Sequence, residues 1–453
     1  MARLPSYFTK GALFIPMKKI FTLFLGFAVC SSLNAQTIKT LSLGLGTPGI
    51  DEPQLMGLSI SPNGKYACGA LESGAGYFVA DLENGLVKFE ISTDDEGAEL
   101  RHVDNNGVAI GYNGPGVTYS IEGVETVLAP PSDEYKYILG EALSNDGSVL
   151  TGSLVAKGYL TLAAYSKNGG AWTLLPQADE DVLGDYAGQG SSAKYVSGDG
   201  KVILGYVGSF GPATLWIENE NGEYDIDPIF SKYIIMNDED LSKGEKVLYD
   251  MQPMGISNNG KYALCQGVIR TEGGATSVPV VYNVETQEIA IYSEPQNIDP
   301  NGYGLLPTAI ADDGTFVGII GTQPLYMSAG SFIWMAGDSQ ASTLGQEYPV
   351  YEETFGFPDS VGYCLPTGIS ADGRYILGYG FYSPDFEDPE APAYFTTYVI
   401  DANGAPTAVE TVKPTENQTI DQIYSVDGKR IERMSNGINI VRMSDGSVRK
   451  ILK

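Results

Sequence analysis

Carboxylates carry most of the chemistry open to this sequence. Asp179-Glu180-Asp181, Asn237-Asp238-Glu239-Asp240, Glu352-Glu353 with Asp359, and Asp385 with Glu387 stand in four long segments without periodicity: 177–188, 225–253, 345–363 and 383–393. Tyr348, Tyr351, Phe355, Tyr382 and Phe386 lie in or beside them. Paired carboxylates can do acid and base work on a glycan, and clustered carboxylate oxygens can hold Ca²⁺. The candidate ligand-binding residues are therefore Asp238, Glu239, Asp240, Tyr348, Tyr351, Glu352, Glu353, Asp385 and Phe386. No run matches an EF-hand loop and acidic surface loops are ordinarily just solvated, so Ca²⁺ is admitted rather than required. No catalytic residue is singled out.

His102 is the one histidine in 453 residues. That removes most histidine-dependent triads and every multi-histidine metal site. It sits five residues before Gly107, and Ser59, Ala142, Tyr195, Gly255, Ala309 and Gly368 hold the same place elsewhere in the chain. These are mostly small, so the position faces an axis or a crowded contact, and a packed histidine is favoured over a catalytic one. No nucleophile elbow, P-loop, dinucleotide fingerprint or zinc spacing is present.

Charge narrows the partners. Lys and Arg number 27 against 56 Asp and Glu, a net charge of −29, which speaks against nucleic acid or an anionic membrane surface. A hydrophobic share of 43% with 11% aromatics is enough for a core.

The elements that must position those residues are repeats. Ile60-Ser61-Pro62-Asn63-Gly64, Val103-Asp104-Asn105-Asn106-Gly107 and Leu143-Ser144-Asn145-Asp146-Gly147 open a series. Val196-Ser197-Gly198-Asp199-Gly200, Ile256-Ser257-Asn258-Asn259-Gly260, Ile310-Ala311-Asp312-Asp313-Gly314 and Ile369-Ser370-Ala371-Asp372-Gly373 continue it. An apolar residue stands four before each turn glycine, and in most copies a second glycine follows: Gly69, Gly111, Gly152, Gly205, Gly318, Gly378. Asp/Asn-Gly tolerates the positive φ of a tight reversal, so each copy predicts a hairpin. An aromatic-bearing strand follows (Phe78, Tyr119, Tyr165, Trp216, Tyr282, Trp334, Tyr398), then a polar turn and a last strand. Four strands per 40–60 residues is a propeller blade, and seven copies predict an all-β, seven-bladed β-propeller of four-stranded blades over 36–412. Thr37–Leu43 is the segment available to close the ring. If the Asp-Gly turns emerge on one face, the long insertions share the other, and a ligand belongs on that insertion-loop face.

The ends differ from the body. Met17-Lys18-Lys19 leads into an apolar run from Ile20 to Val29, and Ala35 offers a cleavage site before Gln36, so 1–35 reads as a secretory signal with translation starting at Met17. No later stretch is apolar enough to span a membrane, so no transmembrane segment is expected in the mature chain. Cleavage leaves Cys68, Cys265 and Cys364, an odd number, and the first two fall in apolar strands as buried free thiols. Residues 413–418 read as a linker. Residues 419–453 carry seven Lys and Arg against four Asp and Glu and read as a small separate β module with strands at 422–426, 438–443 and 447–452.

Two resemblances attach to these segments. Ser-x-Asp-Gly, an apolar strand, Gly-Tyr and then Ala-x-x-Trp, as in Gly198 to Tyr206 leading to Ala213-Thr214-Leu215-Trp216, resembles extracellular HAF-type repeats. More loosely, it resembles the blades of TolB-like propellers. The stretch Ile423 to Ile431, then Asn436 to Arg442, then Val448 to Lys453, resembles the C-terminal sorting domain of Bacteroidetes type IX secretion substrates, although Asn439 stands where that family has Tyr. The alternative for this tail is a β cap on the last blade. The resemblances imply export to the outer surface of a Gram-negative bacterium, with the type IX machinery as a partner through 419–453. The function this favours is a non-enzymatic binding module for an extracellular glycan or protein. A carboxylate-dependent glycan-active enzyme and a structural scaffold are the alternatives.

Overall fold

The computed structural model describes residues 36–43, 53–92, 97–177, 188–208, 212–227, 248–271, 274–292, 298, 304–321, 330–351, 364–382, 394–403, 420–424, 430–431, 438–443 and 448–452. Seven four-stranded antiparallel sheets follow one another along the chain. Their first strands are Leu55–Ile60, Ala98–Val103, Tyr135–Leu143, Ser191–Val196, Leu248–Ile256, Leu305–Ile310 and Cys364–Ile369. Within each sheet the strands pair in sequence order, so this is the seven-bladed propeller the repeats predict. The last blade takes its outer strand from the other end of the chain: Thr37–Leu41 pairs antiparallel with Tyr394–Asp401. Thr397 ties this last blade to the first strand of blade 1 by accepting from Gly57 N and donating to Leu55 O, each at 2.8 Å. A further four-stranded sheet in the tail pairs Ile420–Tyr424 with Arg430–Ile431 and Ile438–Met443, and the latter with Val448–Leu452.

The turns form as their residue types dictate. All seven turn glycines, Gly64, Gly107, Gly147, Gly200, Gly260, Gly314 and Gly373, have φ between 70° and 95°. In five blades the serine three residues earlier donates to the Asn or Asp side chain before the glycine, as Ser197 does to Asp199 at 2.7 Å. The same hydroxyl accepts from the N–H five residues on. Asp104 does this work alone in blade 2.

These turns are also tied to one another. The N–H of Asn105 donates to Asn145 O, Asn145 to Gly198 O, Gly198 to Asn258 O, Asp312 to Ala371 O and Ala371 to Pro62 O, at 2.7–3.1 Å. Pro62 has no N–H to continue the series. Asn63 replaces it, donating from its backbone to Asn105 Oδ1 and from its side chain to Asn105 O. Asn259 makes the same pair of bonds to Asp312. One turn position thus links every blade to the next around the whole ring.

The second glycine of the repeat has a separate cause. In every blade the register between first and second strands slips six residues before the turn glycine, at Leu58, Arg101, Glu141, Lys194, Met254, Thr308 and Thr367, and blades 3 and 5 slip a second time near the start of the first strand. Such a bulge crowds the partner strand. A Cβ on Gly69, Gly111, Gly152, Gly205, Gly318 or Gly378 would run into the carbonyl oxygen of Met56, Glu99, Leu139, Ser192, Leu306 or Leu365. Blade 5 has buried Cys265 there, which is a free thiol, as is Cys68. The aromatic of each third strand packs between blades: Phe78, Trp216, Tyr282 and Tyr398 are fully buried. Trp216 and Trp334 satisfy their indole N–H on Pro176 O and Asp338 O.

Gly205→Ala should cost about 1–3 kcal/mol of stability by overpacking against backbone. Gly158→Ala, where nothing lies within 4 Å, should stay within about 0.5 kcal/mol of the parent. Denaturant melts of the two variants check this, and equal midpoints would refute the bulge as the reason for the second glycine.

Candidate functional site

Three layers line the axis, two residues apart along each first strand, which is the period of a strand face. The turn residues form one end. Next comes an apolar collar, including Ile60, Leu143, Val196, Ile256, Ile310 and Ile369. Above it, the bulge residues Leu58, Arg101, Glu141, Lys194, Thr308 and Thr367 line a cavity of about 300 Å³ together with His102, Tyr195, Tyr206, Gln252 and Pro253. In blade 5 the bulge residue Met254 packs instead against Leu306, Ile319 and Leu365. A smaller cavity of about 70 Å³ lies at the turn end, and His102 lines both.

The wide cavity is charged on one side only. Glu141, 4% exposed, accepts on Oε1 from Arg101 Nη1 at 2.6 Å and from Lys194 Nζ at 2.7 Å. Arg101 Nε donates to Glu99 at 2.6 Å. The Arg101 guanidinium lies 4.9 Å from the Tyr112 ring centroid, and the Lys194 ammonium 5.9 Å from that of Tyr206. Burial pulls the Arg101 pKa down, but Glu141 and Glu99 outweigh it and the net shift is upward. Burial raises Tyr195, with Glu141 adding to it. On the opposite side Thr308 donates to Pro366 O at 2.6 Å and Thr367 to Gly57 O at 2.7 Å, so these hydroxyls stitch neighbouring blades.

His102 is set between the layers. Its Nδ1 is buried without a hydrogen-bond partner among the described residues, and so is Asn258 Oδ1 in the smaller cavity. Burial pushes the His102 pKa down to about 4. The sequence reading of a packed histidine at a crowded contact agrees with this setting. It missed Arg101, Glu141 and Lys194, one place earlier in the repeat. The signal was present, because three successive blades carry a charge at this one repeat position of an inner strand, where charge is rare.

The residues chosen from the sequence fare differently. Asp238, Glu239, Asp240, Glu352, Glu353, Asp385 and Phe386 lie outside the described residues, as do the expected leader 1–35 and linker 413–418. Tyr348 and Tyr351 are described, and they are buried. They are 4% and 9% exposed and pack against Ile369, Ile376, Tyr398 and Ile400. The outer strand of blade 6 is only Ser342–Thr343, and a helical turn at Leu344–Glu347, held by a Thr343–Gln346 capping box, folds the tyrosines into the gap. Tyr351 meets Tyr398 edge-on at 5.4 Å, and burial raises the Tyr348 pKa to about 12. Among the described residues no three His, Cys, Asp or Glu side chains are grouped to hold a metal ion, and no helix is long and apolar enough to cross a membrane.

Fold and axial layers together define a seven-bladed β-propeller with a charged axial cavity. No family model matches the sequence, and no curated protein matches it. Several solved structures resemble it. An oligogalacturonate lyase in complex with manganese is 12% identical with a TM-score of 0.48, covering 82% of this chain and 97% of that one. The Cps50 (Swd1) β-propeller domain of Myceliophteria thermophila is 10% identical with a TM-score of 0.44, covering 78% and 98%. A putative TolB from Agrobacterium tumefaciens is 11% identical with a TM-score of 0.35, covering 68% and 88%. At these identities nothing of those proteins' chemistry carries over.

The His102 shift makes stability depend on pH. The unfolded imidazole, near 6.5, takes up a proton more readily than the folded one, near 4. The contribution is therefore complete above pH 6.5 and is lost as pH falls toward 4, by up to about 3 kcal/mol. Comparing parent and His102→Gln by denaturant melts from pH 7 to 4, the parent should lose stability more steeply below 6.5. Parallel curves would refute a buried neutral imidazole.

Proposed function

We propose that this protein is an exported binding propeller, which takes an extracellular glycan or protein ligand at the axial cavity and the loops around it without transforming it. One observation supports this most. Arg101, Glu141 and Lys194 occupy a position that Leu58, Thr308 and Thr367 fill in other blades of the same ring. The fold therefore has no need of charge there. A buried ion group is also a weak stabiliser, since desolvation costs several kcal/mol per ion. Charges that the architecture does not require, pointed into a cavity, fit recognition.

The secretory leader and the tail resembling a type IX sorting domain support export to the surface of a Gram-negative cell, and the HAF-type repeat pattern supports an extracellular setting. The enzyme alternative needs two carboxylates free to act, about 5–10 Å apart. Among the described residues Glu141 is the carboxylate lining the axial cavity, and it is bound to Arg101 and Lys194, which favours binding over hydrolysis.

A glycan array with the chain from Gln36 to Lys453, run with Ca²⁺ and again with chelator, tests the reading. Saturable binding should appear and should weaken roughly tenfold or more in Arg101→Met, the loss expected for a charged hydrogen bond. Loss on chelation would put Ca²⁺ among the acidic loops. Disappearance of the immobilised glycan would favour the enzyme, and binding indifferent to Arg101 would move the site off the axis.

A further inference from the structure

We infer that the axial cavity recognises a carboxylate, carried by a ligand of about one sugar residue in size. This rests on the axial binding site proposed above and names what the site reads.

The donors are in surplus. Lys194 uses one of its three N–H groups on Glu141, and Arg101 uses two of its five on Glu141 and Glu99. Both side chains are about a quarter exposed, and they open onto the cavity. Ammonium and guanidinium hydrogens facing a cavity favour acceptors there, and a carboxylate supplies the strongest pairing for them. Glu141 itself shows the geometry: one carboxylate oxygen already bridges the two cations. A ligand carboxylate can meet the remaining Lys194 hydrogens from the cavity side.

Size and surroundings restrict the rest of the ligand. A cavity near 300 Å³ is at the small end of ligand pockets. Thr308 and Thr367 spend their hydroxyl hydrogens on neighbouring carbonyls, so toward the cavity they offer oxygens that accept. Donors on one wall and acceptors on the other suit a ligand with a carboxylate at one end and hydroxyl groups at the other. A sugar acid has that distribution.

Calorimetric titration of the chain from Gln36 to Lys453 with glucuronate, glucose and N-acetylglutamate tests the inference. Glucuronate should bind, and glucose, which keeps the hydroxyls but lacks the carboxylate, should bind roughly tenfold more weakly or worse. Lys194→Gln should weaken glucuronate by a similar factor while leaving glucose unchanged, and Lys194→Arg should restore most of it. An unchanged thermal melt for each variant shows that the fold is retained. N-acetylglutamate binding as tightly as glucuronate would support the carboxylate and make its source a peptide. Equal binding of glucuronate and glucose, or indifference to Lys194→Gln, would overturn the inference. If no acid binds at millimolar concentration while the array still shows binding that depends on Arg101, the carboxylate fails and the binding propeller stands. A blank array as well would remove both.

Discussion

One irregularity in each inner strand governs much of this molecule. The bulge six residues before the turn glycine turns one extra side chain toward the axis and presses the strand's carbonyl into its neighbour. In six blades the first effect makes the cavity wall and the second excludes a Cβ from the adjoining strand; blade 5, with Met254 and Cys265, does neither. Outside blade 5, a glycine in the second strand and a cavity-lining residue in the first are thus two consequences of a single local distortion. Where the bulge residue is Thr308 or Thr367, its hydroxyl is used between blades, so the same device serves stitching on one side of the ring and charge on the other.

Closure is distributed rather than concentrated at one seam. The strand Thr37–Leu41 completes the last blade, but the amides of the turn layer join all seven blades independently of it. Each such bond contributes modestly, about 0.5–1.5 kcal/mol net. Their value lies in fixing every inner strand at the same height, which is what aligns the bulge residues into a layer. Asn63 shows how closely the linkage is kept: where Pro62 removes a donor, the next side chain supplies it.

The fold was legible because its determinants are local. Asp/Asn-Gly reversals and alternating strands, recurring seven times, fix blades and their count without reference to distant residues. The apolar residue four before each glycine also announced a layer, and the collar of Ile60, Leu143, Val196, Ile256, Ile310 and Ile369 is that layer. The site was less legible for the opposite reason. Arg101, Glu141 and Lys194 stand 40 and 53 residues apart and meet only because three bulges fall at one height. Comparing blades position by position reaches His102 but not its neighbour, since a bulge breaks the alternation by which inward and outward residues are told apart. The burial of Tyr348 and Tyr351 was hidden for a related reason. A long segment without strand periodicity reads as a loop, whereas here a shortened outer strand leaves a gap that a helical turn and two aromatic rings fill.

The asymmetry of the axial ring argues against a purely structural role for its charges. A propeller that needed a polar plug could distribute one among all blades, as the turn amides are distributed. Instead the charges sit on blades 2, 3 and 4, and the other blades that place a bulge residue in the cavity hold Leu58, Thr308 and Thr367. Glu141 draws two cations to itself, and with Glu99 the group is balanced in charge, so it can remain desolvated without a ligand. Its balance in charge coexists with an excess of donors, because a cation offers several N–H groups for each unit of charge. A neutral cluster that still has hydrogen bonds to give does not trap counterions from solvent but does favour a ligand whose acceptors are correctly placed. In a chain of net charge −29, such a wall lets an acidic group be recognised at short range against a field that repels it at long range.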